Sequence, residues 1–443
     1  MHTIHLGIDD TDSFRGRCTT YLAALIVEEL LKQGARFVDY PNLIRLNPNI
    51  PWKTRGNAAV ALRFQNESPE RAFEIAKKLL IANSDFEDGL SDPGIVMHVG
   101  DVPSNVVEFS RRALYAVLSR HEAENIIGKY RMQHYAKGSK RGLIGAVAAI
   151  GNLLSNDHTF EIIAYRDGRH NGPRRVEEEA VIKMDEQFSE STFNNYDASS
   201  ERVLICPHGP DPVLCGVRGE DPEALIKALY SLEIQEPVER YMIFRSNQGT
   251  AEHLTEPIKE FRAHSSGYVR GEVADAPKIQ IGGHVFFHVF DDKRTIKCAC
   301  YEPAGDLRKV VLALTIGDIV EVGGGVRRAT KKNPPVLNME YLNVIRLGKK
   351  RVQHNPLCPN CKKRMKSEGN GMGFTCPDCG SFAKEKVAKI LPRGIKVGLY
   401  LPPLHSQRHL TKPLKRYGKE KKSKTDLIAN WLRVYEAQIA RMW

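Results

Sequence analysis

No apolar run in this 443-residue chain approaches the ~20 residues that a membrane-spanning helix needs, so no membrane partner is expected. The start, Met1-His2-Thr3, is too polar for a secretory leader, and cytoplasmic residence is the expectation. Walker A spacing is missing from the glycine-rich loop at 138–145, so that loop alone is weak evidence for a nucleotide site. Cysteine is spread too unevenly for a disulfide framework: Cys18, Cys206, Cys215, Cys298 and Cys300 are scattered, and the other four of nine fall between 358 and 379. Acidic residues are nearly absent from 384 to 424, where 13 Lys and Arg stand against Glu385 and Glu420, a net +11 in a chain of total +12. A concentrated basic stretch without a strongly apolar face points to a polyanion partner, nucleic acid ahead of membrane. A solvated, disordered tail would have the same composition.

At this length three or four domains are expected, and 42% hydrophobic with 27% charged residues describes a globular chain. It is organised around Gly7-Ile8-Asp9-Asp10-Thr11-Asp12-Ser13 followed by Gly16-Arg17-Cys18-Thr19-Thr20. Ile4, Leu6 and Ile8 alternate with more polar residues, a strand pattern, and 21–32 is a helical run with Thr19 or Thr20 placed to cap it. Three carboxylates therefore end a first strand opposite two hydroxyls at a helix N-terminus. Carboxylates hold a hard cation and a helix end offers N–H donors to phosphate oxygens, so the layout suits a magnesium-bound polyphosphate. An acidic loop beside an ordinary helix cap is the plainer alternative.

Lys53-Thr54-Arg55-Gly56-Asn57 precedes a strand at 58–64 and places two cations and a glycine where they would neutralise phosphate, or form only a polar turn. Helices at 69–82 and 106–121 around a strand at 94–99 make residues 1–125 an α/β domain. Gly138-Ser139-Lys140-Arg141-Gly142 feeds a helix over 143–154 and fits an anion cradle. A strand at 160–166, helix 176–187, strand 202–206, helix 222–231 and strand 241–244 fit a ferredoxin-like α+β sandwich over 126–258. Its loops, Asn194-Asn195-Tyr196-Asp197, Pro207 to Pro212 and Arg245 to Thr250, are polar enough for a small ligand, though turn chemistry explains many of the same residues.

Over 259–350 the pattern changes to strands near 268–273, 284–290, 296–301, 319–322 and 337–345, with a helical insert at 305–314. Five strands with a helix there outline an OB barrel, a common binder of single-stranded nucleic acid. Cys358-Pro359-Asn360-Cys361 and Cys376-Pro377-Asp378-Cys379 then form two CxxC knuckles whose four thiolates close a structural zinc site within a ribbon at 351–390. The basic tail and a terminal helix over 425–443, with Leu427, Trp431, Val434, Tyr435 and Ile439 on one face, complete the chain at 391–443. The fold class is thus multidomain α/β and α+β.

Taken together, GIDDTDS with CTT, NPNIPWKTRGNAAV, RGLIGAVAAIG, NNYD, PHGPDPVLCGVRG and FRSNQGT, followed by a barrel and a zinc ribbon, resemble the archaeal tRNA(Ile) 2-agmatinylcytidine synthetases. The resemblance implies use of ATP and agmatine to replace the C2 oxygen of the wobble cytidine in an isoleucine tRNA with a CAU anticodon, so that it reads AUA, with release of AMP and phosphate. It implies that the first domain is a kinase acting on that oxygen, with Thr19 itself phosphorylated and Asp9, Asp10 and Asp12 around metal and phosphates. Asp9 and Asp12 are the expected magnesium ligands. Thr11, Ser13, Thr20, Lys53, Arg55, Gly56, Lys140, Arg141 and Gly142 are the expected nucleotide contacts, and Asn195, Asp197 and Asp211 the expected agmatine contacts, a carboxylate being the natural partner of a guanidinium. Lys140 and Ala251 depart from the family pattern, which has glycine at the first position and commonly an acid at the second. Two other classes fit parts of the chain: a haloacid-dehalogenase-like phosphatase using Asp10, which needs a Rossmann-like continuation, and a barrel-and-ribbon nucleic-acid-binding protein without catalysis.

Overall fold

The strand His2–Asp9 is buried on both faces from Ile4 to Ile8, and this double burial sets the architecture around it. On one face Ile4, Leu6 and Ile8 join a core with helices α1 (Thr19–Lys32) and α2 (Pro69–Asn83), through Leu22, Ile26, Leu30, Phe73 and Leu80. On the other, α5 (Gly142–Gly151) lies directly on the strand, with α3 (Ser104–Ala113) and α4 (Arg120–Lys129) outside it. Gly7 makes that approach possible: a Cβ there would stand 2.0 Å from the Ala146 carbonyl oxygen.

In this computed structural model, which describes residues 1–87, 89, 91–167, 172–331 and 333–435, the strand belongs to an eleven-stranded sheet. The order runs Gln133–Ala136, Gly94–Val99, His2–Asp9, Ala58–Asn66, Asn42–Arg45, Val238–Ser246, Thr159–Arg166, Val213–Gly219, Thr192–Phe193. Every pairing along this path is antiparallel except the junction of Asn42–Arg45 with Val238–Ser246, held parallel at Arg245↔Asn42 and Ser246↔Leu43. That order lacks the parallel doubly wound sheet a dehalogenase-like phosphatase requires. Helices α6 (Glu178–Gln187) and α7 (Pro222–Tyr230) cover the second half of the sheet, on the core shared with α1 and α2.

Three local expectations are corrected. The helix expected over 106–121 is two helices, because Ser119 and Glu122 form a reciprocal capping box that starts α4 afresh. The strand expected at 202–206 is only a two-residue ribbon, Arg202–Val203, and the sheet strand is Val213–Gly219. Its glycines hid it: a Cβ on Gly219 would lie 2.3 Å from the Ser191 carbonyl oxygen, so the position needs glycine despite its low strand propensity. The terminal helix is also replaced. Leu432–Val434 pairs antiparallel with Arg240–Met242, beyond the two residues that the parallel junction occupies, and Trp431 is buried against Phe37 and Tyr40. A free sheet edge overrides helical periodicity here. Residues 436–443, including Ile439, lie outside the described residues.

The basic stretch is not a solvated tail along its whole length. Leu410, Thr411, Lys412 and Arg416 are buried, and the Arg416 guanidinium, 1% exposed, pairs with Asp157 at 3.0 Å and with Glu220. Lys412 and Lys421 join the same carboxylates. Much of the local charge is therefore neutralised internally. An Arg→Lys change loses the fork that grips Asp157 while keeping the charge. Arg416→Lys is expected to cost about 2 kcal/mol, read as a lower denaturation midpoint at unchanged m-value.

The sheet, its helices and the tail segment form one unit, Met1–Tyr268 with Gly323–Pro335 and Pro402–Trp443; Val269–Val322 and Val336–Leu401 form another. The second is built on a closed five-strand barrel of Ser266–Val273, Val285–Phe290, Thr295–Cys300, Ile319–Arg327 and Val336–Arg346, with α8 (Asp306–Leu312) between the third and fourth strands. After the barrel come short strands around four cysteines. Among the described residues no helix is long and apolar enough to cross a membrane.

Candidate functional site

The acidic loop leaves the sheet where the strand His2–Asp9 ends, and Asp10 there adopts a left-handed backbone with φ 57°. Such a conformation is uncommon outside glycine and directs the two neighbouring carboxylates differently. Asp10 accepts from the Asp92 N–H at 3.1 Å and faces Arg141 at 3.9 Å, while Arg141 Nε reaches Asp92 at 2.8 Å. Burial, followed by the charge of Asp10, holds the Asp9 carboxyl well above the usual range; burial raises Asp10 to about 6. Two adjacent buried acids repel each other, and a bound cation would offset their charge.

Asp12 has another role. Its Oδ1 accepts from the Thr19 N–H at 2.7 Å and from the Thr19 hydroxyl at 3.1 Å, and the Thr11 hydroxyl donates to Thr19 Oγ1 at 2.9 Å. The expected cap is thus inverted. Thr19 is the first residue of α1, its N-cap is Cys18, which makes no side-chain cap bond, and Asp12 satisfies the helix end from seven residues upstream. Arg55 ties this loop together, donating to the Ser13 carbonyl at 2.9 Å and pairing with Asp211 at 3.2 Å.

Two cavities meet here. The smaller, of about 120 Å³, is lined by Asp9, Asp10, Arg141, Lys53, Trp52 and Ile50. The larger, of about 310 Å³, is lined by Glu161, Arg45, Arg218, Cys206, Asp211 and His409. Asp12, Thr19 and Arg55 line both, so they form the wall between them. In the larger cavity Arg218 pairs with Glu161 at 3.2 Å, burial holds Arg45 down to about 10, and the nearby Arg45 charge keeps the His409 imidazole neutral.

Of the expected nucleotide contacts, Lys53, Arg55, Gly56, Arg141 and Thr20 line one or both cavities. Thr11 lies behind Thr19, and Ser13 turns to Asp85 at 3.2 Å. Gly142 packs against the strand Gly94–Val99, its N–H donating to the Asp92 carbonyl, so it shapes the loop without lining either cavity. Lys140 points its ammonium to Glu124 at 3.9 Å and adopts φ 61°, a left-handed position where glycine carries no steric cost. Ala251 is likewise left-handed, at φ 58°.

Of the expected agmatine contacts, Asp211 lines the larger cavity, and Asn195 and Asp197 line neither of the two. Asp197 accepts from the Ser199 and Ser200 hydroxyls and pairs with His405, while the Asn195 amide NH₂ donates to Asp185 and Thr192 and its Oδ1 is buried without a partner.

The sequence reading missed Gly145, Trp52, Asp92, Arg45, Glu161, Arg218 and His409. Gly145 carried a signal, lying within a glycine-spaced helix start; His409, in a basic stretch without periodicity, carried none. A Cβ on Gly145 would stand 1.9 Å from Asp9 Oδ2, so α5 can touch the carboxylate only through glycine. Gly145→Ala is expected to displace Asp9 and lower turnover about 10²-fold with little loss of fold, checked by single-turnover rate beside thermal melting.

The sulfurs of Cys358, Cys361, Cys376 and Cys379 all lie within 4.8 Å of one another, and those of Cys358 and Cys379 are 3.5 Å apart. Tetrahedral thiolates at the ~2.3 Å zinc–sulfur distance are spaced close to this, so the set fits zinc. Hydrogen bonds from Ser381 lower the Cys379 thiol to about 6, toward the thiolate that a metal binds. Among the described residues no three carboxylates or histidines converge as tightly.

Profiles described as the TiaS TCKD domain, the TiaS FLD domain and the TiaS C-terminal zinc ribbon domain match residues 5–139, 140–253 and 355–395. Over 437 residues, 98% of this chain and 97% of the relative, the sequence is 42% identical to TiaS of Cenarchaeum symbiosum, a 2-agmatinylcytidine synthetase of isoleucine tRNA. The Archaeoglobus fulgidus protein of the same name is 39% identical over 94% of this chain and 98% of its own. Among solved structures, a complex of TiaS with its isoleucine tRNA and ATP matches with a TM-score of 0.86 at 38% identity. A complex of TiaS with that tRNA, AMPCPP and agmatine matches with 0.82 at 37%. Each covers 94% of this chain and 98% of the other.

Proposed function

Because the chain belongs to the tRNA(Ile) 2-agmatinylcytidine synthetases, we propose that its two adjoining cavities divide the reaction into an activation and a displacement. The chain is a ligase that conjugates agmatine to an isoleucine tRNA, with ATP as the energy source. We read 1–125 as the kinase-like part and 126–258 as the ferredoxin-like part, with two β-α-β crossings around α6 and α7 in support. We further read 259–350 as a tRNA-binding OB fold, 351–390 as the ribbon and 391–443 as the tail. ATP and tRNA as substrates favour cytoplasmic residence.

The chemistry fixes what each cavity must do. The C2 oxygen of the wobble cytidine is a poor leaving group; once phosphorylated, it departs as phosphate, taking the C–O electron pair, when the primary amine of agmatine attacks C2. Asp9 and Asp12 would hold magnesium, with Asp10 adjoining. Two direct carboxylates fit, since this ion prefers one or two beside phosphate and water. Magnesium, when bound, neutralises phosphate charge. Lys53 and Arg141 line the same cavity and are placed to stabilise the transferring phosphoryl group. Asp12, hydrogen-bonded to the Thr19 hydroxyl, is placed to take its proton when that oxygen is phosphorylated. Asp211, which lines the larger cavity and pairs with Arg55 and Arg174, is our choice for the agmatine guanidinium, which would replace one of those partners.

The observation that carries this reading is the shared wall: Asp12, Thr19 and Arg55 touch both cavities, so a base reaching the wall is accessible from the phosphate side and from the amine side. The test is mass spectrometry of the tRNA after incubation with the chain, ATP, magnesium and agmatine. A gain of agmatine minus water at the wobble cytidine, absent with Thr19→Ala, is expected; an unmodified wobble position in the native reaction would overturn the reading.

A further inference from the structure

A half-exposed tryptophan at the mouth of a charged cavity offers a broad flat face to a ligand that enters there. Trp52 is 55% exposed, yet it lines the smaller cavity together with Asp9, Asp10 and Thr19, and with Ile50 and Val117 on the apolar side. Its loop is held firmly from behind. The Asn47 side chain donates to the His264 carbonyl at 2.8 Å and accepts from the Asn49 N–H at 3.0 Å; Asn57 donates to the Asn47 carbonyl at 2.7 Å. Asn49 donates to Ser266 at 2.8 Å and accepts from Arg408 at 3.1 Å. The indole is therefore presented by a braced loop, with the His264 ring 6.2 Å away. Lys53 follows it directly in the chain and lines the same cavity, which puts a cation beside an exposed aromatic face, the pairing that single-stranded nucleic acid uses for backbone and base.

We propose that Trp52 is the stacking platform for the wobble cytosine once that base has left the anticodon stack. The proposal rests on the function stated above. A base drawn out of its stack loses stacking energy, and an aromatic face at the rim of the reaction cavity restores it while holding the pyrimidine edge toward the carboxylates. The adenine of ATP is the competing flat ligand. The exposed rim position favours the RNA base, which must enter from outside while remaining joined to its strand on both sides.

Fluorescence separates these cases, because the chain has three tryptophans and Trp52→Phe supplies the blank. With agmatine and a non-hydrolysable ATP analogue present, the isoleucine tRNA is expected to quench a component that Trp52→Phe lacks. The same tRNA made abasic at the wobble position should leave it unquenched. Trp52→Leu should lower kcat/KM for tRNA about 5- to 100-fold at unchanged ATP affinity, and Trp52→Phe should stay within about threefold of native. Equal quenching by the abasic tRNA, quenching by ATP alone, or a Trp52→Leu chain as active as native would each overturn the proposal. Absence of conjugation by the native chain would sink the proposed function instead, since comparison of the two tRNAs reads the stacking contact by itself.

Discussion

Asp12→Asn is expected to lower the rate of agmatine conjugation about 10³-fold while the chain stays folded and still binds tRNA. The substitution is nearly isosteric, and an amide oxygen can still accept the 2.7 Å hydrogen bond from the Thr19 N–H, so the start of α1 keeps its cap to within about 1 kcal/mol. Two properties are lost. An amide cannot take a proton from the Thr19 hydroxyl, and it adds no negative charge for a cation beside Asp9. Asp12→Ala should be as slow and also less stable, because it leaves the helix N–H without its acceptor. Single-turnover kinetics beside thermal melting distinguish these effects. A rate for Asp12→Asn within about tenfold of native would mean that Asp12 serves the fold alone.

Stripping zinc should have the largest effect on stability, confined to the ribbon. Its only buried cluster among the described residues is Cys358, Met365, Phe374 and Cys376, so half of the cluster is metal ligands. Such a core cannot hold a fold by apolar burial, whereas structural zinc contributes on the order of 10 kcal/mol or more. A strong chelator, or Cys376→Ser, is expected to unfold residues near 355–395 and weaken tRNA binding at least about tenfold. Phosphorylation of Thr19 should continue, because Asp12 and Thr19 belong to the other unit. Metal analysis, filter binding and labelled-phosphate incorporation measure the three quantities. A metal-free chain that binds tRNA normally would contradict this division.

The parts of the molecule legible in the sequence are those whose cause is local. Paired cysteines at fixed spacing found the ribbon sulfurs, and alternation found the barrel strands and the strand ending in Asp9. Gly142 and Arg141 were placed at the start of the right helix. The misses share a different cause, which is long-range packing. Val213–Gly219 was hidden by glycines that neighbouring elements require, and Leu432–Val434 by a sheet edge supplied from far upstream in the chain. Asp197 and Asn195 show why a site is hard to read from residue type: polar turn residues and ligand-binding residues are the same types. Lys140 is the instructive departure. The structure keeps the left-handed backbone that glycine would adopt there, so the loop's shape survives while its side chain turns outward to Glu124.

The unit that carries the site is interrupted in sequence, and its last piece follows the ribbon. His409 in the wall of the larger cavity, Arg416 locked to Asp157, and Trp431 between Phe37 and Tyr40 all come from residues beyond 402. A chain cut short after the ribbon would therefore lack the His409 side of the larger cavity and the Arg416 and Trp431 contacts that tie the unit together, so the ribbon cannot be separated from the site by simple truncation.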